Sequence, residues 1–237
     1  MNYFFHPGSL SEGEGLNLID EEARHAIKVL RLTKGSSIQL INGLGQLGEG
    51  ELTNVSGNRI SVTIHKVISE SKPDYEISIG LAMLKKRDRL EWFIEKAVEL
   101  AADKIFIFSS QHTEKSNADM KRLNKIAVSA LKQSGNLWMP EIITGVGFQD
   151  MVSGSYKGSK FIAHCRDEEK KLLRDTYHAS ESALVLIGPE GDFSEPEIKL
   201  AHDHGFVPVS LGELRLRAET AALSTLITMQ IANQVAH

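Results

Sequence analysis

At 237 residues the chain is long enough for one large domain or two modest ones with a real core. Its formal net charge of −4 gives no bulk attraction to nucleic acid, so any polyanion must be met by local patches. A single cysteine, Cys165, excludes an internal disulfide and a cysteine-cluster metal site, and no metal is expected.

The first predicted element is a strand in MNYFF, followed by one short helix over Asp20–Leu30. SIQLING, GQLGEGELTNV and RISVTIHKVI then alternate apolar and polar residues between Asn-Gly, Gly-x-Gly and Ser-Gly-Asn turns, the pattern of a small antiparallel barrel or sandwich. Ser69 to Asp74, with Pro73, reads as a linker, which puts a first domain at 1–70 and a second at 74–237. The start has no basic segment followed by an apolar one, and no apolar stretch approaches spanning length. A cytoplasmic protein is expected.

Beyond the linker, strands and helices alternate. Strands are predicted at Ile77–Met83, Lys104–Phe108, Phe161–Cys165, Ala183–Ile187 and Phe206–Leu211, with helices at Arg89–Ala102 and Asp119–Gln133. Such alternation implies a mostly parallel sheet covered by helices. In FIAHC, Cys165 reads as a structural thiol at a buried strand end. Ala183–Ile187 is an uninterrupted apolar run that breaks at Gly188-Pro189-Glu190-Gly191; Ser194 with Glu197 forms a capping box, Pro196 sits in the first turn, and Gly205 closes the helix. The strand Phe206–Leu211 ends at Gly212 and feeds a final helix beginning near Glu219. Two neighbouring strand ends with backbone-exposing turns mark the place where open α/β sheets bind ligands.

Neither G-x-G-x-x-G nor G-x-x-x-x-G-K-[ST] occurs, which disfavours a nicotinamide enzyme or a nucleoside triphosphatase. His202 and His204 stand two apart on a helix and point to different faces, as a solvated helix end does. Glu95 and Glu99, beside Lys96, read as a charged solvated face rather than an acid–base pair. The run Lys85-Lys86-Arg87-Asp88-Arg89 differs, because cations at a helix N-terminus oppose the helix dipole and so favour an anionic partner, with a plain solvated turn as the other reading. Arg31, after the short helix, fits a phosphate contact and a surface charge equally well. Arg215, Arg217, Glu219 and Thr220 cluster at the entrance to the last helix, beside the two turns.

Taken together, a FFHP-type start, His25 with Val29-Leu30-Arg31 and Gly35, KKRDRLEWFIEKAVEL, Lys132-Gln133-Ser134 with Pro140, IGPEGDFS and LGELRLRAETAAL resemble the RsmE family of 16S ribosomal RNA (uracil-N3)-methyltransferases, of the SPOUT class. The last two motifs are the specific ones. Departures are Asp192, where the family usually has a second glycine, Leu214 and Lys132 where arginine and glutamate are usual, and Asn136 near a usual arginine. The resemblance implies a PUA-like RNA-binding β-barrel joined to an α/β domain with a C-terminal trefoil knot, acting as a homodimer on 16S rRNA of the 30S subunit with S-adenosyl-L-methionine. It implies cofactor binding by Leu186, Ile187, Gly188, Pro189, Glu190, Gly191, Leu211, Gly212 and Leu216. At the reacting base it puts Arg217, to stabilise the uracil anion or hold the target phosphate, and Glu219, to orient it or assist proton transfer; a structural part for Glu219, capping the last helix and pairing with Arg217 or Arg215, stays open. RNA would be met by Arg24, Lys28, Arg31, Lys85, Arg87 and Arg89. Ribose 2′-O-methylation by another SPOUT enzyme, or a non-enzymatic role in ribosome assembly, stays open at this point.

Overall fold

The computed structural model describes residues 3–113 and 118–235. The first two residues of the MNYFF strand lie outside them. The chain divides into two compact units, Met1–Lys72 with Val128–Met139, and Pro73–Ala127 with Pro140–His237.

In the first unit, strands β1 (Tyr3–Phe5), β2 (Gly15–Ile19), β3 (Ser37–Ile41), β4 (Gln46–Ser56) and β5 (Arg59–Ser69) form one curled sheet in the order β1-β3-β4-β5-β2. The alternation works as the sequence requires: Leu16 and Leu18 turn inward from β2, and Ile60, Val62 and Ile64 from β5, onto Phe4, Leu40 and Leu52. The expectation of a wholly antiparallel sheet is corrected at one edge, where β1 runs parallel to β3. A helix between them, α1 (Asp20–Arg24) continued by a π-helical turn (His25–Val29), lies in the connection that parallel pairing needs. Gly50 sits at a β-bulge where a Cβ would fall within about 2.4 Å of the Thr63 carbonyl oxygen, so only glycine fits.

The second unit is built on a parallel sheet of β6 (Ile77–Ala82), β7 (Lys104–Ser109), β8 (Glu141–Gly147), β9 (Ser159–Ala163), β10 (Lys171–Leu172), β11 (Ala183–Ile187) and β12 (Val207–Ser210), in the order β10-β12-β9-β11-β6-β7-β8. Central β6 and β11 are buried along their whole length, which is why their sequences are unbroken apolar runs. Its helices are α2 (Arg87–Glu99), most of α3 (Met120–Ser134), α4 (Phe148–Ser153), α5 (Leu173–Thr176), α6 (Glu195–Asp203) and α7 (Ala218–Val235). Both halves of the Ser194–Glu197 capping box are formed at the start of α6. Strand β9 ends at Ala163, before His164, so the expected buried thiol is corrected: Cys165 is exposed. No helix among the described residues is long and apolar enough to cross a membrane.

Candidate functional site

Because every pairing in the large sheet is parallel, all carboxyl ends lie along one edge. The chain leaves β9, makes the edge strand β10, forms β11 on one side of β9 and then β12 on the other, between β9 and β10, so the strand order reverses at β9. Such a reversal opens a crevice, since the connections on either side diverge. The strand ends are level there: Ile187 pairs with Ala163, and Ala163 with Val209. Beyond them lies a cleft of about 630 Å³, floored by Ala163, His164 and Cys165, walled by the turns after β11 and β12, and closed by the start of α7 at Ala218 and Ala221.

Local bonds fix each wall. In the turn after β11, the Asp192 N–H donates to the Pro189 carbonyl at 2.9 Å, and the Asp192 carboxylate accepts the N–H of Cys165 and that of Phe193, each at 2.8 Å. His112 Nδ1 donates to the Asp192 carbonyl at 2.9 Å. After β12, Gly212 adopts φ 134°, a region open to glycine, and nothing lies within 4 Å of where its Cβ would be. Backbone conformation, not space, requires that glycine. The following loop carries exposed Leu214, Arg215 and Arg217 over the cleft.

Most of the expected cofactor positions line this cleft: Ile187, Gly188, Pro189, Glu190, Leu211, Gly212 and Leu216. Leu186 does not, being fully buried in the core beneath with Phe108 and Phe193. Gly191 is turned away, and a Cβ there would meet His112 at 3.1 Å. Arg217 faces the cleft, whereas Glu219 is buried outside its lining. The Glu219 partner is Arg89, whose Nε lies 3.5 Å from Glu219 Oε1 while its Nη1 lies 3.9 Å from Glu190 Oε1. One cation therefore serves two carboxylates, and the second oxygen of each, Oε2, is buried without a hydrogen-bond partner. Arg24, Lys28 and Arg31 are exposed in the first unit, and Lys85 and Arg87 are exposed around the start of α2.

Sequence reasoning missed the floor. His164 has Nδ1 facing the Lys170 ammonium at 3.4 Å, while Nε2 lies 2.9 Å from Glu168 but out of line for a hydrogen bond. Burial, then the Lys170 charge, hold its pKa below the ordinary 6.5, against the opposing pull of Glu168 and Asp192. Folded protein thus binds fewer protons at His164 than unfolded chain does just below pH 6.5, and the His164 contribution to stability falls as pH drops through that window. The expected slope is at most about 1.4 kcal/mol per pH unit for one proton. Melting curves across that window should show a shallower loss in His164→Gln; an unchanged slope would assign the proton elsewhere.

Residues 70–230 match the family model of the RNA methyltransferase domain, and residues 18–64 that of the RNA methyltransferase PUA domain. The ribosomal RNA small subunit methyltransferase E of Rickettsia conorii is 25% identical over 97% of this chain and 95% of its own. That of Bacillus subtilis is 26% identical over 92% and 90%. A crystal structure of a probable rRNA methyltransferase from Porphyromonas gingivalis, 32% identical, superposes with a TM-score of 0.92 and covers 100% of both chains. The ribosomal RNA small subunit methyltransferase E of Neisseria gonorrhoeae bound to S-adenosyl methionine is 28% identical, with a TM-score of 0.88 over 98% of this chain and 97% of that one.

Proposed function

The chain belongs to the RNA methyltransferase family, and on that premise we propose that this S-adenosylmethionine-dependent enzyme of small-subunit ribosomal RNA methylates N3 of one uridine in 16S rRNA. The observation that carries the reading is the cleft at β9, whose two glycine-bearing walls are the IGPEGDFS and LGELRLRAETAAL segments.

The residues fit the cofactor. The cleft volume of about 630 Å³ suits a ligand of that size, its apolar sides are Ile187, Leu211, Leu216 and Ala221, and main-chain groups are available where both turns lack or retract side chains. Glu190, with one buried oxygen lacking a donor, suits a cationic ligand. Ile187, Gly188, Pro189 and Glu190 would hold it from one side, and Leu211, Gly212 and Leu216 from the other. When bound, it supplies the activated methyl group.

This chain's residues then do the rest. Uracil N3 must lose its proton and be aligned, and it must be unpaired to be reached. Arg217, at the cleft mouth, stabilises the negative charge that develops on the base. Of the parts open to it, Glu219 takes the structural one, with Arg89 as the partner: buried against that cation, it holds the entrance of α7 in place. A carboxylate paired and turned from the cleft is poorly placed to take a proton from substrate.

Exposed Arg24, Lys28 and Arg31 in the first unit are proposed as phosphate contacts, with Lys85 and Arg87 in the second. Arg31→Ala should weaken RNA binding and lower its salt slope by about one unit; an unchanged slope removes Arg31 from the interface. The homodimer is supported by Ile227, Ile231 and Val235, which leave an exposed apolar stripe at helical spacing along α7. Sedimentation at single-copy mass with full activity would contradict it. The trefoil knot belongs to the same proposal and rests on the family to which the chain belongs.

The deciding experiment maps the modified nucleotide by mass spectrometry in 16S rRNA from deletion and complemented cells. A methylated uracil is expected. A methylated ribose would move the reading to 2′-O chemistry, and absence of cofactor binding in calorimetry would favour an assembly protein.

A further inference from the structure

Asp192 holds a left-handed backbone conformation, φ 63°, that glycine adopts at less cost. A side chain kept at such a position must return something that a glycine would not. Here it bonds across the cleft floor. Its Oδ2 accepts the Cys165 N–H at 2.8 Å, joining the turn after β11 to the segment after β9. Its carbonyl is held by His112 from the segment after β7, where the Gln111 N–H also donates to the buried Glu197 at 2.7 Å. One residue therefore ties three strand-end segments together, and both Asp192 and Cys165 line the cleft.

We propose that Asp192 is a positioning residue of the cofactor site, whose carboxylate locks the His164–Cys165 floor against the Gly188–Glu190 wall and so presets the cleft for its ligand. The inference rests on reading the cleft as the cofactor site. Preorganisation is the mechanism: a floor already held in place loses less conformational freedom when the ligand arrives. A charge-assisted bond to a backbone N–H is also among the stronger hydrogen bonds available to a carboxylate.

Asp192→Gly isolates the carboxylate, because glycine accepts the same backbone conformation and the turn survives. S-adenosylmethionine affinity, measured by calorimetry, should fall about tenfold, with KM for the cofactor rising alike and kcat at saturation within about twofold of wild type. Asp192→Asn keeps an acceptor oxygen and tolerates the left-handed conformation, so it should restore most of the affinity. Cys165 is the chain's one cysteine and is exposed, so its alkylation by iodoacetamide reports on the floor directly. Without cofactor, alkylation should be faster in Asp192→Gly than in wild type. Unchanged affinity and alkylation in Asp192→Gly overturn the proposal. So does a loss of affinity that tracks an equal loss of melting temperature and is not rescued by Asn. If wild type fails to bind the cofactor, the reading of the cleft is wrong, while the alkylation comparison still decides whether Asp192 locks the floor.

Discussion

Arg217→Ala is expected to slow methyl transfer about a hundredfold or more, while cofactor affinity and melting temperature stay close to wild type. The reason lies in where its side chain starts. The Arg217 carbonyl accepts the Ala221 N–H at 2.8 Å, so the residue stands at the N-cap of α7 and its carbonyl is tied to the first helical turn. Its side chain is exposed and lines the cleft. A guanidinium on a fixed stem at a cleft mouth stabilises charge that appears only in the transition state, and this kind of interaction lowers kcat when removed. Arg217→Lys retains the charge without the planar fork and should recover part of the rate. Arg215 also lines the cleft, and Arg215→Ala serves as the control for a general loss of positive charge. Single-turnover rates on 30S subunits, measured beside thermal melts, read the result. A wild-type rate in Arg217→Ala ends the assignment, and a rate loss matched by unfolding makes the residue structural.

What the sequence made legible follows from how local each signal is. Ala183–Ile187 could be placed to the residue because a strand buried on both faces needs an unbroken apolar run, and the chain supplies one bounded by glycine and serine. The Ser194–Glu197 box was equally readable, since both of its hydrogen bonds close within one turn. Edge strand β8 escaped notice because it is only half-buried and contains Gly145 at φ 80°, which breaks the strand pattern. The glycines show a subtler limit. Gly191 and Gly212 look alike as turn residues, yet one sits tightly against His112 and the other is required by its own φ. The difference depends on a neighbour far along the chain. The same holds for the cleft floor: His164 and Cys165 join the site only because β9 lies between β11 and β12, and strand order is not written in local pattern.

Arg89 is the case where that non-local information sets a second reading against the first, and it yields the second large effect. As part of KKRDR it looks like one more phosphate contact, yet its guanidinium reaches Glu219 and Glu190. Its side chain is 25% exposed, that of Glu219 only 8% and that of Glu190 27%, so removing the cation strands one well-buried carboxylate and one partly screened one. Breaking a buried pair costs about 3–5 kcal/mol; partial exposure and separations longer than a tight hydrogen bond bring the expectation to about 2–3 kcal/mol. For a chain of this length that corresponds to a melting temperature lower by about 5–10 °C in Arg89→Ala. The cost is the stranded charge, so Arg89→Ala with Glu219→Gln should regain part of the loss, because a neutral amide is cheaper to bury than a carboxylate. Arg89→Lys keeps the charge and should lie between wild type and Arg89→Ala. The rival expectation is equally definite: if Arg89 serves RNA, Arg89→Ala melts like wild type, the Glu219→Gln change rescues nothing, and RNA affinity falls with a reduced salt slope. Thermal melts of the three variants beside RNA binding at two salt concentrations separate a clamp between α2, the turn after β11 and α7 from a phosphate contact.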